Sequence, residues 1–274
     1  MKKFKNVLIA LIFVPCLLFF AACGGNKADA QFKTKAKIDT EGEYTETSKE
    51  ELTTYLSSGA TPEAQTLKTS MSGYRLTGSI EMPAMPELGL TEATTTNFDV
   101  IYVGGEKLED YKMAMKMSAK DEKAYMYIKD GYVYANVEDE KLKAKITTDE
   151  QFDEIQTSTS QLVSLEEMIE LITTMEEGAT VKVAVDGNTK KYEVTLDLSG
   201  LAEEGFGFEN LVSEYKMYFV FENDILTGFT VSYNSIMGSS CTLTMENYNG
   251  KVVFPSFKDY KEVNFDEIMA GEVE

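Results

Sequence analysis

Apolar and polar residues alternate along most of the chain. Tyr74, Leu76, Gly78, Ile80 and Met82 alternate with Arg75, Thr77, Ser79 and Glu81, the period of two that a half-buried strand requires. The same period predicts strands at about 97–103, 110–118 and 123–129, and Asp130-Gly131 closes a hairpin onto 132–137. Further strands are expected at 180–185, 190–198, 215–222, 225–233, 240–247 and 251–254, with turns at Asp186-Gly187 and Asn223-Asp224. Helical signals interrupt this pattern. Ser48 and Glu51 have capping-box spacing and open a short helix through about Ser57, and Pro62 suits the first turn of a second helix over 61–69. Ser164 and Glu167 form another capping box, followed by Leu165, Met168, Ile169, Ile172 and Met175 on one helical face and by Gly178 as a stop. Residues 83–96 read as a loop, 138–163 as an acidic stretch without period, and 199–214 as a glycine-containing connection. The class is therefore α+β, with ten or eleven mostly antiparallel strands and three or four helices.

Strand parity assigns the faces. Met113, Met115 and Met117 share one side of their strand and Lys112, Ala114 and Lys116 the other, so the methionines point inward and the lysines to water. The same parity turns Met126 and Ile128 inward with Tyr125, Tyr127 and Lys129 outward, and sets Met217, Phe219 and Phe221 against Lys216 and Glu222. Leu76 and Ile80 complete the inward set. Methionine is flexible and polarizable, which suits irregular cores and also surfaces that adapt to apolar ligands. From alternation alone, a packed core and a ligand pocket both remain open.

The N-terminus carries an address. Lys2, Lys3 and Lys5 precede an apolar run from Val7 to Phe20, too short and too early for an ordinary spanning helix, and the run ends Phe20-Ala21-Ala22-Cys23. Two small residues before a cysteine resemble the lipobox of bacterial lipoproteins, with Phe20 where that motif usually has leucine. The resemblance implies that residues 1–22 are a signal peptide, that Cys23 is acylated after cleavage, and that the protein is held on the extracytoplasmic face of the cell membrane. Two acyl chains anchor firmly, because each buried methylene contributes about 0.8 kcal/mol. Residues 23–47 then read as a tether, 48–264 as the folded domain and 265–274 as an acidic tail. The tether is basic first, at Lys27, Lys33, Lys35 and Lys37, and acidic afterwards, at Asp39, Glu41, Glu43 and Glu46. A basic segment beside the lipid suits anionic headgroups.

Composition narrows the chemistry. There are 26 Lys plus Arg against 46 Asp plus Glu, a net charge of −20, and cleavage would remove three of the lysines. Such a surface repels nucleic acid. Histidine is absent, which removes the commonest general base and transition-metal ligand. No nucleotide loop, nucleophile elbow or calcium-loop pattern is present, and the acidic runs read as solvated faces. No catalytic residue, metal site or cofactor is expected, and the protein is read as a non-enzyme. Of the three cysteines, Cys16 leaves with the signal and Cys23 carries lipid, so Cys241 stands without a disulfide partner, as a buried residue of an alternating strand. The only arginine is Arg75; that lysine bias points to an AT-rich genome, as in low-GC Gram-positive bacteria.

The lipobox, the polar tether, the helix leading into a long strand and the Asp-Gly hairpin together resemble the LolA/LolB-like superfamily and its LppX- and LprG-type lipoproteins. The segment from Ala124 to Asn136 is similar to that group's central hairpin, and Tyr248 to Pro255 to its closing strands. The resemblance implies a curved, mostly antiparallel half-barrel covered by helices around an apolar pocket that binds or carries lipid acyl chains. It makes Leu76, Ile80, Met113, Met115, Met117, Met126, Ile128, Met217, Phe219 and Phe221 the candidate pocket residues. The other reading is a cell-envelope interaction module whose inner face is filled by its own side chains and whose outer face docks a protein.

Overall fold

The computed structural model describes residues 27–58, 73–84, 92–104, 107–120, 122–137, 140–160, 168, 172–173, 178–197, 214–234 and 238–270. A 3-10 helix, Lys27–Lys33, comes first. The elements that follow are β1 Thr45–Thr47, α1 Lys49–Ser58, β2 Gly73–Met82, β3 Thr94–Val103, β4 Lys112–Ala119, β5 Glu122–Lys129, β6 Tyr132–Val137 and β7 Glu140–Lys145. After these come α2 Asp149–Ser160, β8 Ala179–Asp186, β9 Thr189–Leu196, β10 Glu214–Glu222, β11 Ile225–Asn234, β12 Ser240–Asn247, β13 Lys261–Glu262 and α3 Phe265–Ala270. The strands form one open sheet of 13 in the order β1-β8-β9-β10-β11-β12-β2-β3-β4-β5-β6-β7-β13. Every neighbouring pair is antiparallel except β13 with β7. An open, mostly antiparallel sheet with few helices is the coarse architecture that the alternation predicts.

Local chemistry explains the turns and caps. At the β5–β6 hairpin Asp130 and Gly131 have φ of 53° and 75°, and at the β10–β11 hairpin Asn223 and Asp224 have 52° and 63°, the left-handed pair that a two-residue turn between twisted strands needs. Ser48 Oγ accepts from the Glu51 amide at 3.2 Å, so α1 begins with its expected cap.

One apolar layer lies on each face. On the inner face, Leu52 and Leu56 of α1 and Phe152 and Ile155 of α2 are buried in the same cluster as the inward residues of β2 to β12. On the outer face, Ile101, Ala114, Tyr125 and Tyr127 are buried under Ala28 and Phe32 and under Tyr248, Val252, Phe254 and Phe257.

The second layer corrects several expectations. Residues 27–47 are no free tether: they carry a 3-10 helix and an edge strand and are pinned across the sheet. Tyr125 and Tyr127 do face outward but are buried, and Lys116 does not run free to water; its ammonium pairs with Asp29 at 2.7 Å and its side chain is 19% exposed. Residues 251–254 make no ladder and lie over the outer face instead. The stretch 138–163 contains β7 and α2, and the tail from 265 begins as α3 with Phe265 buried. The helix expected over 61–69, most of the helix from Ser164, the connection 199–213, the signal segment and Cys23 lie outside the described residues. Within the helix from Ser164, Met168 and Ile172 are helical and buried.

Gly78 shows how tightly the inner layer meets the sheet. A Cβ there would strike the Phe98 ring and come within 2.6 Å of the Thr242 carbonyl oxygen, which cannot move aside. Gly78→Ala should therefore destabilise the fold by about 1–3 kcal/mol in urea unfolding. An unchanged midpoint would mean that the Phe98 ring is not seated on the glycine.

Candidate functional site

The strand registers place the candidate pocket residues on one face. Leu76 is opposite Val100, Val100 opposite Met115, and Met115 opposite Met126; one step along, Tyr102, Met113 and Ile128 align. On the other side of the sheet Tyr192, Phe219 and Phe229 form a row, with Val194, Met217 and Val231 beside it. The parity reading of the inner face thus holds across both halves, but the ten candidates do not share one environment.

Six of them are packed core. Met217, Phe219 and Phe221 are buried. Tyr55 of α1 lies against Tyr192 and Phe221, at centroid distances of 5.9 and 5.6 Å. The Tyr192 hydroxyl donates to Glu51 Oε1 at 2.8 Å, so the helix that covers this half is fixed by a polar clasp as well as by packing. Glu51 has its pKa lowered by its hydrogen bonds from Thr47 and Tyr192. Met113 and Ile128 are fully buried at the other end of the trough. There Tyr74, Tyr102, Tyr111 and Phe152 form a continuous chain of tilted and edge-on rings at 4.9, 4.8 and 5.2 Å, an aromatic plug near the strand ends. Burial raises the Tyr74 pKa far above the ordinary phenol value, so its hydroxyl stays neutral. Leu76, between the halves, is also buried.

Ile80, Met115, Met117 and Met126 are different: each is only partly buried. They lie on β2, β4 and β5, with β3 between the first two, toward the end opposite the aromatic plug, with Met115 against Met126 and Met117 between Phe98 and Ala124. From Tyr74 to Gly78 on β2, and on the paired segments of β3, β4 and β5, every inward residue is uncharged; the next row runs from Ile80 through Thr96 and Ala119 to the exposed Glu122. Around Met115, Met117 and Met126 these rows present no charged group to orient a polar substrate. They offer dispersion contacts from flexible thioethers, which conform to an apolar ligand of variable shape. Met245, opposite Leu76 and also partly buried, extends the patch and was missed as a candidate although the alternation Cys241, Leu243, Met245 marks its face.

Reactive groups are remote from this patch or inert. Cys241 is free and buried, and burial pushes its thiol up to about 12. Among the described residues no three Cys, Asp or Glu side chains converge as a metal-binding set. The buried ionic pair is Arg75 with Asp99, on the outer face, at 2.6 Å. Arg75 Nε and Asp99 Oδ1 are buried without a hydrogen-bond partner.

Fold and site together define an open-sheet scaffold with few helices and an apolar inner face, buried at one end and partly accessible toward the other. No family model and no curated protein matches the chain. Among solved structures it is similar to LprF from Mycobacterium bovis, at 9% identity and a TM-score of 0.38, over 77% of this chain and 99% of that one. A β-barrel-like protein of unknown function from Brucella abortus follows at 8% identity and a TM-score of 0.19, over 65% of this chain and 99% of that one. An S-type phycobiliprotein lyase from Guillardia theta has 9% identity and a TM-score of 0.18, over 70% and 96% of the two chains.

Proposed function

We propose that this chain is a lipoprotein anchored through Cys23 on the extracytoplasmic face of the cell membrane, and that it binds an apolar ligand without catalysis. The ligand class is the lipid acyl chain. Ile80, Met115, Met117 and Met126 hold it, with Met245 and Phe98 beside them. The observation that carries this reading is the uncharged, partly accessible methionine patch on a sheet face where the other candidate residues are buried. A core residue gains nothing from being left half accessible, whereas a ligand wall must be. The filled core favours the second reading, an interaction module, for Leu76, Met113, Ile128, Met217, Phe219 and Phe221.

Native mass spectrometry of the protein purified from cells tests the binding: a co-purifying mass of an acyl lipid is expected. A bare chain that also takes up no added lipid would leave the interaction module in its place. Anchoring has its own expected result. Cys23→Ala should block cleavage at that site and abolish incorporation of labelled fatty acid into the protein, and labelling at the parent's level would contradict the lipid anchor.

A further inference from the structure

Residues 27–47 form a strap across the outer face. Asp29 pairs with Lys116 at 2.7 Å and accepts from the Tyr125 hydroxyl at 3.0 Å, which fixes the start of the strap over β4 and β5. The Lys37 amide then donates to Glu246 at 2.9 Å, and Ile38 seats where Gly228 has no side chain. Asp39 and the Glu41 carbonyl both receive the Lys191 ammonium, at 2.6 and 2.7 Å. The Gln31 side-chain amide exchanges two hydrogen bonds with the Val253 backbone, at 2.8 and 2.9 Å. This couples the start of the strap to the closing segment 248–258.

Two consequences follow from that docking. Gly24, Gly25 and Asn26 alone separate Cys23 from the 3-10 helix, so the lipid attachment point lies within about 14 Å of the docked strap even at full extension. The surface around this point also has the opposite charge to the rest of the chain. Residues 27–37 hold four lysines and one acid, and 248–258 two lysines and no acid, in a chain of net charge −20. Lys33, Lys35, Lys37, Lys251 and Lys258 are exposed, and among them stands Val253, 46% exposed and one of three such large apolar side chains among the described residues.

We propose that the basic part of this outer face, residues 27–37 of the strap together with the closing segment, docks on an anionic phospholipid bilayer, with the acidic end of the strap, Asp39, Glu41, Glu43 and Glu46, outside the contact. The lysines meet the headgroup phosphates, Val253 enters the interface, and the acidic remainder of the chain is held away from the membrane. The proposal rests on acylation of Cys23 for its anchor and adds an orientation: the inner trough faces away from the bilayer that holds the protein. A short leash with a docked strap fixes that orientation, where a free tether of the same length would allow every one.

The chain contains no tryptophan, so a single introduced indole reports depth. The full processed protein carrying Val253→Trp, and separately Val185→Trp at the opposite edge of the sheet, is incorporated into phosphatidylcholine vesicles with and without phosphatidylglycerol, all with brominated acyl chains. Val253→Trp should shift to the blue and lose most of its fluorescence when phosphatidylglycerol is present, less so in high salt, while Val185→Trp stays unquenched. Lys33→Glu with Lys251→Glu should restore the fluorescence. Flotation with pure phosphatidylcholine reads the anchor independently. Flotation without selective quenching of Val253→Trp overturns the docking and leaves the anchor standing. Quenching with phosphatidylglycerol but no flotation with phosphatidylcholine supports the docking and removes the anchor. Failure of both removes both, and equal quenching at the two positions shows that the protein has no fixed orientation.

Discussion

Arg75→Leu is expected to destabilise the fold by about 3–5 kcal/mol at pH 8, because it leaves Asp99 buried without its counter-charge. The two side chains are 4% and 11% exposed and meet at 2.6 Å on the outer face of β2 and β3. Replacing both with apolar groups should recover most of the loss, since the cost lies in the orphaned charge rather than in a missing attraction. Urea unfolding of Arg75→Leu and of Arg75→Leu with Asp99→Leu measures both values. A single variant within about 1 kcal/mol of the parent would mean that water reaches the pair.

The same site gives the fold a pH dependence with a definite sign. Burial outweighs the nearby guanidinium and pushes the Asp99 carboxyl up to about 7. A carboxyl raised above its unfolded value adds stability that is complete below its ordinary pKa and is lost as pH rises through about 7. Asp29 and Glu193 act in the opposite direction. Both have pKa values held low: burial opposes this, and hydrogen bonds to Lys116 and Tyr125, and to Tyr218 and Lys216, prevail. Their contribution is present above the ordinary carboxylate pKa and lost as pH falls through their lower folded values. Melting temperature should therefore decline from pH 6 to pH 8 in the parent, and Asp99→Asn should flatten that decline whatever its own stability. The penalty of Arg75→Leu should likewise shrink towards pH 5, where Asp99 folds in its neutral form.

Much of the sheet is legible in the sequence because alternation acts residue by residue. The inward row Met113, Met115, Met117 follows from lysines that cannot be buried in the core beside them, and the registers place that row opposite Met126 and Ile128. β7 is illegible for the same reason: in Glu140–Lys145 only Leu142 and Ala144 are apolar, and both bury against strands and helices that local pattern does not show. The strap is harder still. Its anchors are small or irregularly spaced, as Ala28, Phe32, Ala36 and Ile38 are, and the notch that receives Ile38 is made by Gly228, far along the chain. The candidate site was legible as a face but not as a patch. Which inward residues are covered depends on where α1, α2 and the aromatic plug settle, and those are tertiary facts.

The difference between Met113 and Met115 puts the functional claim to the test. Both face inward two residues apart, Met113 fully buried and Met115 partly accessible. Met113→Ala should cost about 2–5 kcal/mol, because close-packed atoms are removed and a void remains. Met115→Ala should fall near or below the bottom of that range, as its side chain already borders accessible surface. A charge separates the two positions further. Met113→Glu would bury an unpaired carboxylate and should abolish folding or nearly so, whereas Met115→Glu can keep its carboxylate hydrated and should fold. The decisive measurement is binding of a fluorescent fatty acid to the purified, delipidated protein and to its Met115→Glu variant. Saturable binding by the parent and its loss in a variant that keeps its cooperative melting transition is the predicted result. A parent that binds no probe, together with a Met115→Glu variant that fails to fold, would contradict a ligand site and make the inner face a filled core throughout.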